Sequence, residues 1–306
     1  MFAFVILHYL AEEMTKECVE HLEKFLDMNR CKIVIVDNAS SNGSGQRLKD
    51  YYKNKDYCDV LLNNENVGFA RGNNIGYKFA KEKYKPKYMI IMNNDVLIND
   101  GDFLDKIEKI HSETEFDVLG PDIISKKNGL HQNPMYLKQL TIQQVNKQIS
   151  DITSKLKHPR INYVIDKIKS SIRVRTRLKS LKRKFGKAQE KIHINRHINP
   201  ILHGSCYIFS LKFINNEDEA FDSRTFLYRE EEILHLKCMK KKYTMIYDPH
   251  LSVLHLEDVS TESELKFREK SIRQEIEKQK FINTHQLASL KVLLDVMKEE
   301  IITNKK

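Results

Sequence analysis

Residues 87–95 read Lys-Tyr-Met-Ile-Ile-Met-Asn-Asn-Asp, and this pattern indicates the fold class of the chain. A continuous apolar run is typical of a strand buried on both faces, as in sheets that are covered by helices. The run ends at Asn93, Asn94 and Asp95. Open α/β sheets bind ligands just beyond the carboxyl ends of their strands, where a carboxylate can hold a divalent cation against phosphate groups. A buried strand followed by an aspartate without function would have the same sequence pattern. The neighbouring segments are therefore needed to distinguish this interpretation from a ligand-binding site.

The first 120 residues alternate strand-like and helix-like segments, which predicts a largely parallel α/β sheet with covering helices. The predicted strands are 3–7, 32–36, 58–62, 87–92 and 116–119, and the predicted helices are 12–27, 45–54, 69–83 and 101–112. A second structured part follows, with an apolar stretch, a helix-like segment and two strand-like segments at 201–211, 230–241, 244–247 and 251–255. Charged and aliphatic residues then mix at helical spacing over 262–302, which predicts a helical tail.

The composition is that of an ordinary soluble globular protein, with 306 residues of which 41% are hydrophobic and 31% charged. The five cysteines form no close pair and no metal-ligand spacing, which predicts reduced thiols in a cytosolic protein. The apolar start lacks a basic n-region and is followed at once by Glu12 and Glu13, so we interpret it as a first strand rather than a signal peptide. No run reaches the roughly 18–20 apolar residues of a membrane span.

The net charge of +10 is unevenly distributed along the chain. Residues 155–191 contain 14 lysines and arginines against two acids, Asp166 and Glu190, a balance of +12. The rest of the chain is therefore slightly acidic, and the basicity belongs to one segment.

Polar residues also follow the second and third predicted strands. Asp37 lies in Val-Asp-Asn-Ala-Ser-Ser-Asn-Gly-Ser, residues 36–44, where it could accept hydrogen bonds from a nucleobase or ribose or form an Asx turn that caps the next helix. After the third strand, residues 64–76 read Asn-Glu-Asn-Val-Gly-Phe-Ala-Arg-Gly-Asn-Asn-Ile-Gly. Gly68 permits a turn, and the helix that begins there offers unpaired N–H groups and a dipole to an anion. Arg71 in its first turn adds a guanidinium suited to phosphate or carboxylate.

The order of these segments carries a family resemblance. Asp37, the segment 66–74 and Asp95 follow three successive predicted strands, so they are expected to converge on one edge of the sheet. The succession resembles the family-2 glycosyltransferases, whose nucleotide-sugar-binding GT-A fold carries a VDN(A/G)S turn, an NxGFAxGNN segment and a DxD-like strand end. The resemblance covers roughly residues 1–260 apart from the basic segment. It is closest to bacterial rhamnosyltransferase-type enzymes of capsule, exopolysaccharide and O-antigen synthesis.

The resemblance implies an inverting, metal-dependent enzyme that moves a hexosyl or rhamnosyl group from a nucleotide-diphosphate sugar to a glycan or undecaprenyl-linked acceptor. It assigns donor-nucleotide contacts to Asp37, Asn66, Gly68, Arg71, Asn74 and Asn94. It implies that Asp95, helped by Asn93 and His255, holds Mn²⁺ or Mg²⁺ on the diphosphate. Many relatives carry two acids at this strand end, whereas this chain supplies one carboxylate. His255 resembles the family's late histidine, although a histidine after an apolar strand is also a common structural residue.

Two segments of the second half extend the resemblance. Residues 226–232, Phe-Leu-Tyr-Arg-Glu-Glu-Glu, resemble the family's FLYxED segment, whose second acid is the general base. That acid is Glu231 here, with Glu232 as the alternative if the match slips by one residue. An acidic helix start that the helix dipole stabilises is the structural alternative. Residues 203–206, His-Gly-Ser-Cys, resemble a small-residue turn below the donor sugar and acceptor, which assigns His203, Gly204, Ser205 and Glu230 to these groups.

The basic segment is not explained by the GT-A fold. Apolar residues fall at helical spacing among its lysines and arginines, at Ile161, Ile165, Ile168, Ile172, Val174, Leu178, Leu181 and Phe185. Three interpretations stay open, namely anchoring on an anionic membrane surface, a solvated or self-associating helical insert, and nucleic-acid binding. Anchoring agrees best with the family and predicts a cytoplasmic enzyme attached to the inner face of the plasma membrane. Nucleic-acid binding by residues 155–191 is the alternative function, but the sparse aromatics there argue against a stacking platform.

The chain is therefore expected to have four parts. These are a nucleotide-sugar-binding half at 1–135, a basic helical insert at 136–198, an acceptor half at 199–260 and a helical tail at 261–306, through which copies of the chain could associate. A dehydrogenase is disfavoured because the turn after the first strand, residues 8–12, has no glycine, whereas the dinucleotide fingerprint needs several.

Overall fold

A nine-stranded mixed sheet forms the centre of the protein, whose residues 1–163, 165, 167, 192–257 and 271–303 are described by a computed structural model. The strands are β1 (Phe2–His8), β2 (Cys31–Asp37), β3 (Cys58–Leu62), β4 (Tyr88–Asn93), β5 (Val96–Leu97), β6 (Val118–Ser125), β7 (His197–Ile198), β8 (Cys206–Ser210) and β9 (Met245–His255). The main helices are α1 (Glu12–Phe25), α2 (Ser44–Tyr52), α3 (Gly68–Tyr84), α4 (Phe103–Thr114), α5 (Ile142–Lys157), α6 (Leu211–Asn216), α7 (Glu230–Lys240) and α8 (Ile272–Thr303).

The strand order brings the predicted site residues to one edge of the sheet. The order is β3-β2-β1-β4-β8-β6-β9-β5, with β7 paired to β9. Strands β1 to β4 are parallel, whereas β8 runs antiparallel to both β4 and β6. His8 pairs with Asp37, and Leu7 pairs with Asn93. The carboxyl ends of β1, β2 and β4 therefore end at the same level, as the sequence predicted.

Alternating side chains of the central strands form a core on each face of the sheet. In β1, Phe2, Phe4 and Ile6 belong to the cluster under α1 and α4, whereas Ala3 and Val5 belong to the cluster under α3. All five are fully buried. Burying one large apolar side chain contributes about 1.5–3 kcal/mol, so a strand apolar on both faces is anchored from both sides. This confirms the two-faced burial that the continuous apolar runs predicted.

A third core cluster joins α5, α7 and α8 at one side of the sheet. Its buried members are Val145, Ile233, Leu236, Leu290, Leu293 and Met297. The predicted helical tail is observed from Ile272 onward, and it packs against α5 and α7. The described helices include none that is long and apolar enough to cross a membrane.

One prediction from the sequence differs from the structure, and another concerns residues that the structure does not describe. The predicted strands 244–247 and 251–255 are one strand, β9, whose register against β6 shifts between Pro121 and Asp122 because residues 249–251 bulge out of the ladder. Pro249 lacks the N–H that a regular ladder needs, which explains the break in the apolar pattern. The basic amphipathic helix lies largely outside the described residues, since residues 168–191 are not among them. The division at residues 135, 198 and 260 stays a prediction.

Candidate active site

Asp95 and His255 face each other at the carboxyl edge of the sheet, where β5 pairs with the end of β9. Asp95 Oδ2 lies 3.3 Å from His255 Nε2, and Asp95 Oδ1 is buried without a hydrogen-bond partner among the described residues. The Gln132 amide donates to Glu257, so its Oε1 is the atom that accepts from His255 Nδ1, at 2.7 Å. In the neutral ring Nε2 then carries a lone pair toward a carboxylate oxygen. Two facing lone pairs require a proton or a cation between them.

The turn 203–206 places His203 beside this pair. Its ring centroid is 5.8 Å from that of His255. Nδ1 of His203 accepts the backbone N–H of Ser205, at 3.2 Å, and the backbone N–H of His203 donates to Asn133 Oδ1, at 3.1 Å. Burial, and then the neighbouring His255, lower the pKa of His203 to about 4, so the ring is neutral near pH 7. An imidazole without charge adds no repulsion to a cation at Asp95.

A strained turn presents the three glutamates at the start of α7. Tyr228 and Arg229 both have positive φ, at 75° and 69°. Residues other than glycine adopt this backbone conformation at a cost of about 1–3 kcal/mol each. Glu232 is buried and pairs with Arg229 Nη1 at 2.5 Å. Glu230 is buried, and its Oε1 has no hydrogen-bond partner within the described part of the chain. Burial, and then Glu231, raise the pKa of Glu230 to about 8.

Glu231 lies directly against the turn that carries His203. A Cβ atom on Gly204 would be 2.5 Å from Glu231 Oε1, and the Gly204 backbone hydrogen-bonds to this carboxylate. Burial, and then the charge of Glu232, raise the pKa of Glu231 to about 7. A carboxyl group with this pKa can take up and release a proton near neutral pH. Glycine at 204 is therefore what lets the carboxylate approach the backbone of the turn.

Asp37 lies at the same edge, within a hydrogen-bonded chain that sequence reasoning missed. Its carboxylate accepts the backbone N–H of Ser40, three residues further on, at 3.2 Å, so it holds the turn after β2 without capping α2, whose N-cap is Gly43. His8 Nε2 lies 3.8 Å from Asp37 Oδ1 and 2.7 Å from Ser44 Oγ. Burial lowers the pKa of His8 to about 4.

The other nitrogen of His8 connects to the end of β4. His8 Nδ1 contacts Thr15 Oγ1 at 2.8 Å, and Thr15 Oγ1 accepts from Asn94 Nδ2 at 2.9 Å. Asn94, predicted to contact the donor nucleotide, is thus tied to β1 and α1. The position of His8 at the end of a predicted strand was the signal that could have identified it.

Asn38 organises the loop that carries Asn66 and Gly68, and its role was also missed. Its amide donates to Asn66 Oδ1 at 2.9 Å, and its Oδ1 accepts the backbone N–H of Val67 at 3.1 Å. Gly68 has φ +83°, and a Cβ there would be 2.4 Å from the Phe226 carbonyl oxygen. Both the conformation and the space at this position require glycine.

Arg71 and Asn74 contact the segment that leads to the glutamates. Arg71 Nε donates to the Ser223 carbonyl at 2.8 Å. Asn74 donates to the Phe221 carbonyl at 2.8 Å and accepts the Phe221 N–H at 3.0 Å. The backbone N–H of Phe69 donates to the Phe226 carbonyl at 2.7 Å. The start of α3 therefore holds residues 221–226, and the nucleotide contacts of Arg71 and Asn74 stay predictions.

The last helix supports the same segment from the other side. Phe226 stacks on His285 with ring centroids 4.5 Å apart, and Ser289 Oγ donates to the Leu227 carbonyl at 2.7 Å. No sequence signal marked either residue of α8. The glutamate segment is thus fixed by α3 and α8 together.

The sequence of the chain matches a known protein family. The family model described as "Glycosyl transferase family 2" matches residues 3–214. The chain is 24% identical over 125 residues to the low-salt glycan biosynthesis hexosyltransferase Agl10 of Haloferax volcanii, which covers 41% of the chain and 37% of that protein. It is 28% identical over 116 residues to the rhamnosyltransferase WbbL of Escherichia coli K12, which covers 37% of the chain and 41% of that protein. The matched stretches span about two fifths of these relatives.

Solved structures of glycosyltransferases share the fold of this chain. TarS 1–349 of S. aureus in complex with UDP-GlcNAc is similar with a TM-score of 0.54 and 13% identity, over 92% of this chain and 66% of that one. The mannosyltransferase PcManGT of Pyrobaculum calidifontis in complex with GDP-Man and Mn²⁺ is similar with a TM-score of 0.51 and 11% identity, over 99% and 74%. The predicted GT-A fold is confirmed by this likeness.

Proposed function

Because the chain belongs to glycosyl transferase family 2, we propose that it transfers a sugar from a nucleotide-diphosphate sugar to a hydroxyl group of a glycan or lipid-linked acceptor. One observation carries this proposal: the turn 203–206 brings His203 beside the Asp95–His255 pair and Gly204 against Glu231. Sugar transfer needs stabilisation of a leaving diphosphate and a base for the acceptor at adjacent points. The UDP-GlcNAc and GDP-Man bound to the similar structures support this donor class.

Glu231 is proposed as the general base. It would remove the proton of the acceptor hydroxyl as the oxygen attacks the anomeric carbon, while the bond to the diphosphate breaks. Direct attack from the face opposite the leaving group inverts the configuration. The pKa of Glu231, which burial raises to about 7, suits the role of a general base near neutral pH. Glu232 suits it less because Arg229 already neutralises its buried carboxylate.

Asp95 and His255, together with Asn93 at the end of β4, are proposed to hold Mn²⁺ or Mg²⁺. The fit rests on the buried Asp95 Oδ1 without a partner in the described structure and on His255 Nε2, which lies 3.3 Å from Asp95 Oδ2 and offers a lone pair in the neutral ring. A carboxylate with an imidazole is a donor set that suits Mn²⁺ better than Mg²⁺. A bound divalent cation supplies positive charge against the departing diphosphate.

Donor-nucleotide contacts are proposed for the loop ends around Asp37 and the start of α3. Asp37, Asn38 and Asn94 are buried at this edge and already held by hydrogen bonds, so they would meet a ligand without reorganising. Asn66, Gly68, Arg71 and Asn74 complete the proposed set.

The biological setting is proposed from the family and from charge. A role in bacterial surface polysaccharide synthesis is proposed from the family resemblance, and the similar hexosyltransferase of glycan biosynthesis and the similar rhamnosyltransferase support transfer of a hexosyl or rhamnosyl group. Attachment to the inner face of the plasma membrane is supported by the +12 balance of residues 155–191. The protein is expected to sediment with anionic vesicles and to be released as salt rises. Salt-sensitive binding to DNA without vesicle binding would instead favour the nucleic-acid alternative.

Substituting the two candidate bases tests the proposed reaction. The donor is first identified by thermal shift with a panel of nucleotide-sugars, with and without Mn²⁺, since binding to the folded state raises the melting temperature. Glu231→Gln should then keep donor binding and lose roughly 10²–10⁴-fold in transfer rate. Glu232→Gln is the matched control and should reduce stability more than turnover. Near-normal transfer by Glu231→Gln would refute the assignment of the base.

A further inference from the structure

A group of metal-ligating side chains lies away from the proposed active site. Asp122, His131 and His193 each offer one ligand atom, and these atoms all lie within 4.8 Å of one another. His131 Nδ1 is 2.8 Å from Asp122 Oδ2, and the rings of His131 and His193 stack with centroids 4.8 Å apart. Asp122 and His193 are buried, whereas His131 is exposed. Among the described residues this is the only such group of three or more.

The surroundings of His193 are those of a preorganised ligand. His193 Nδ1 donates to the Asn133 carbonyl at 2.7 Å, which leaves Nε2 as the ring nitrogen with a lone pair. Metal-binding histidines almost always donate their second nitrogen to a carbonyl or carboxylate in this way, because the bond fixes the tautomer and the ring orientation. The bond also ties residue 193 to the loop that carries His131.

This group is separate from the Asp95–His255 pair. Ile123 pairs with Val253, and both belong to the same core cluster, so Asp122 points to the opposite face of the sheet. His255 is two residues beyond Val253 and shares the face of that cluster. Asp122 pairs with Ser252, and His255 lies three residues further along β9. At the rise of an extended strand, this is a separation of about 10 Å along the strand direction.

We propose that Asp122, His131 and His193 form a structural site for a transition-metal ion of the zinc class. Two imidazoles and one carboxylate are a donor set that zinc accepts, and the exposed side of His131 leaves room for water as a fourth ligand. The site joins β6, the loop of residues 126–135, and residue 193, which follows the basic segment.

The bound ion would stabilise the support of the active site. The two residues after His131 face that site: Gln132 accepts from His255, and Asn133 Oδ1 accepts the backbone N–H of His203. Fixing His131 therefore limits the motion of the loop that orients both histidines. The role is one of positioning, since none of the three residues touches the proposed donor site.

The test is zinc binding to the full chain in a background without the active-site ligands. Asp95→Asn/His255→Ala protein should bind one Zn²⁺ per chain in competition with a chromophoric chelator, and Co²⁺ in its place should give the visible absorption of a tetrahedral site. Adding His131→Ala should weaken binding at least about 100-fold, since outer-shell changes alone cost 10–100-fold. His250→Ala is the matched control, because His250 is exposed and pairs with Asp248 without belonging to the group. His250→Ala should leave the zinc affinity unchanged.

The outcomes that overturn the proposal are distinct from failure of the proposed function, because no transfer is measured. Unchanged zinc affinity after His131→Ala, or loss of binding already in the Asp95→Asn/His255→Ala background, would show that zinc binds elsewhere. The absence of binding at micromolar zinc would leave Asp122 and His131 as a simple ion pair. His131 is exposed, so its substitution is expected to leave the fold intact, and a second variant, Asp122→Asn, checks the carboxylate with little change of shape.

Discussion

Gly204→Ala is the sharpest test of how the turn 203–206 holds the proposed base. The new Cβ would be 2.5 Å from Glu231 Oε1, whereas ordinary contacts begin at 3.4 Å, so the carboxylate must retreat by about 1 Å. The obstructing atom is the end of a flexible side chain, and Gly204 has no positive φ, so the protein is expected to fold normally. A displacement of about 1 Å at a reacting group can cost on the order of 10²-fold in rate.

The assay is transfer rate at saturating donor, with donor affinity measured separately by thermal shift. We expect kcat to fall by about 100-fold while the affinity for the free nucleotide diphosphate, measured in the same way, stays unchanged, because the proposed nucleotide contacts lie elsewhere. Gly101→Ala is the control, since its Cβ would meet the Phe25 carbonyl at an ordinary 3.7 Å. A Gly204→Ala enzyme with kcat within about threefold of the wild type would show that Glu231 does not act as the base from its observed position.

Three further predictions concern charge at the site. Asp95→Asn should abolish Mn²⁺-dependent donor binding, because it removes the only carboxylate of the proposed cation site, and full transfer in EDTA would contradict a metal role. Because burial raises the pKa of Glu231 to about 7, half of it is ionised at pH 7 and about a tenth at pH 6, so transfer should slow about fivefold over that interval and Glu231→Gln should remove the dependence. Burial also raises the pKa of Glu230 from 4.5 to about 8, so the folded state keeps a proton that the unfolded state releases, and stability should fall as pH rises from about 4.5 to 8. Glu230→Gln should reduce this fall of the melting temperature, and the part that remains is expected from Glu231.

The part of the fold that could be predicted is the part that local pattern determines. The apolar runs of β1, β2 and β4 identify strands buried on both faces, and parallel strands bring their polar ends to one edge. The predicted convergence of Asp37 and Asp95 follows from that topology alone. The bulge in β9 could not be predicted, because it depends on how β6 accommodates Pro249.

The contacts that hold the site depend on residues far apart in the chain. Asn74 offers one donor group and one acceptor, and the sequence could not show that both are used by Phe221, 147 residues away. Sequence spacing likewise gave no reason to connect Asp122 with His193. Such contacts are set by tertiary packing, which leaves no periodic signal.

The support that α8 gives to the glutamate segment has a consequence for the order of events during synthesis of the chain. The strands β1 to β4 and the helices between them are contiguous in sequence, so their parallel sheet can begin to assemble while the rest is still on the ribosome. The Phe226 ring and the Leu227 carbonyl acquire their contacts with α8 only when His285 and Ser289 have been made. The edge of the sheet that carries Asp37 would thus assemble before the proposed base is held in place, and the proposed catalysis would wait for the synthesis of α8.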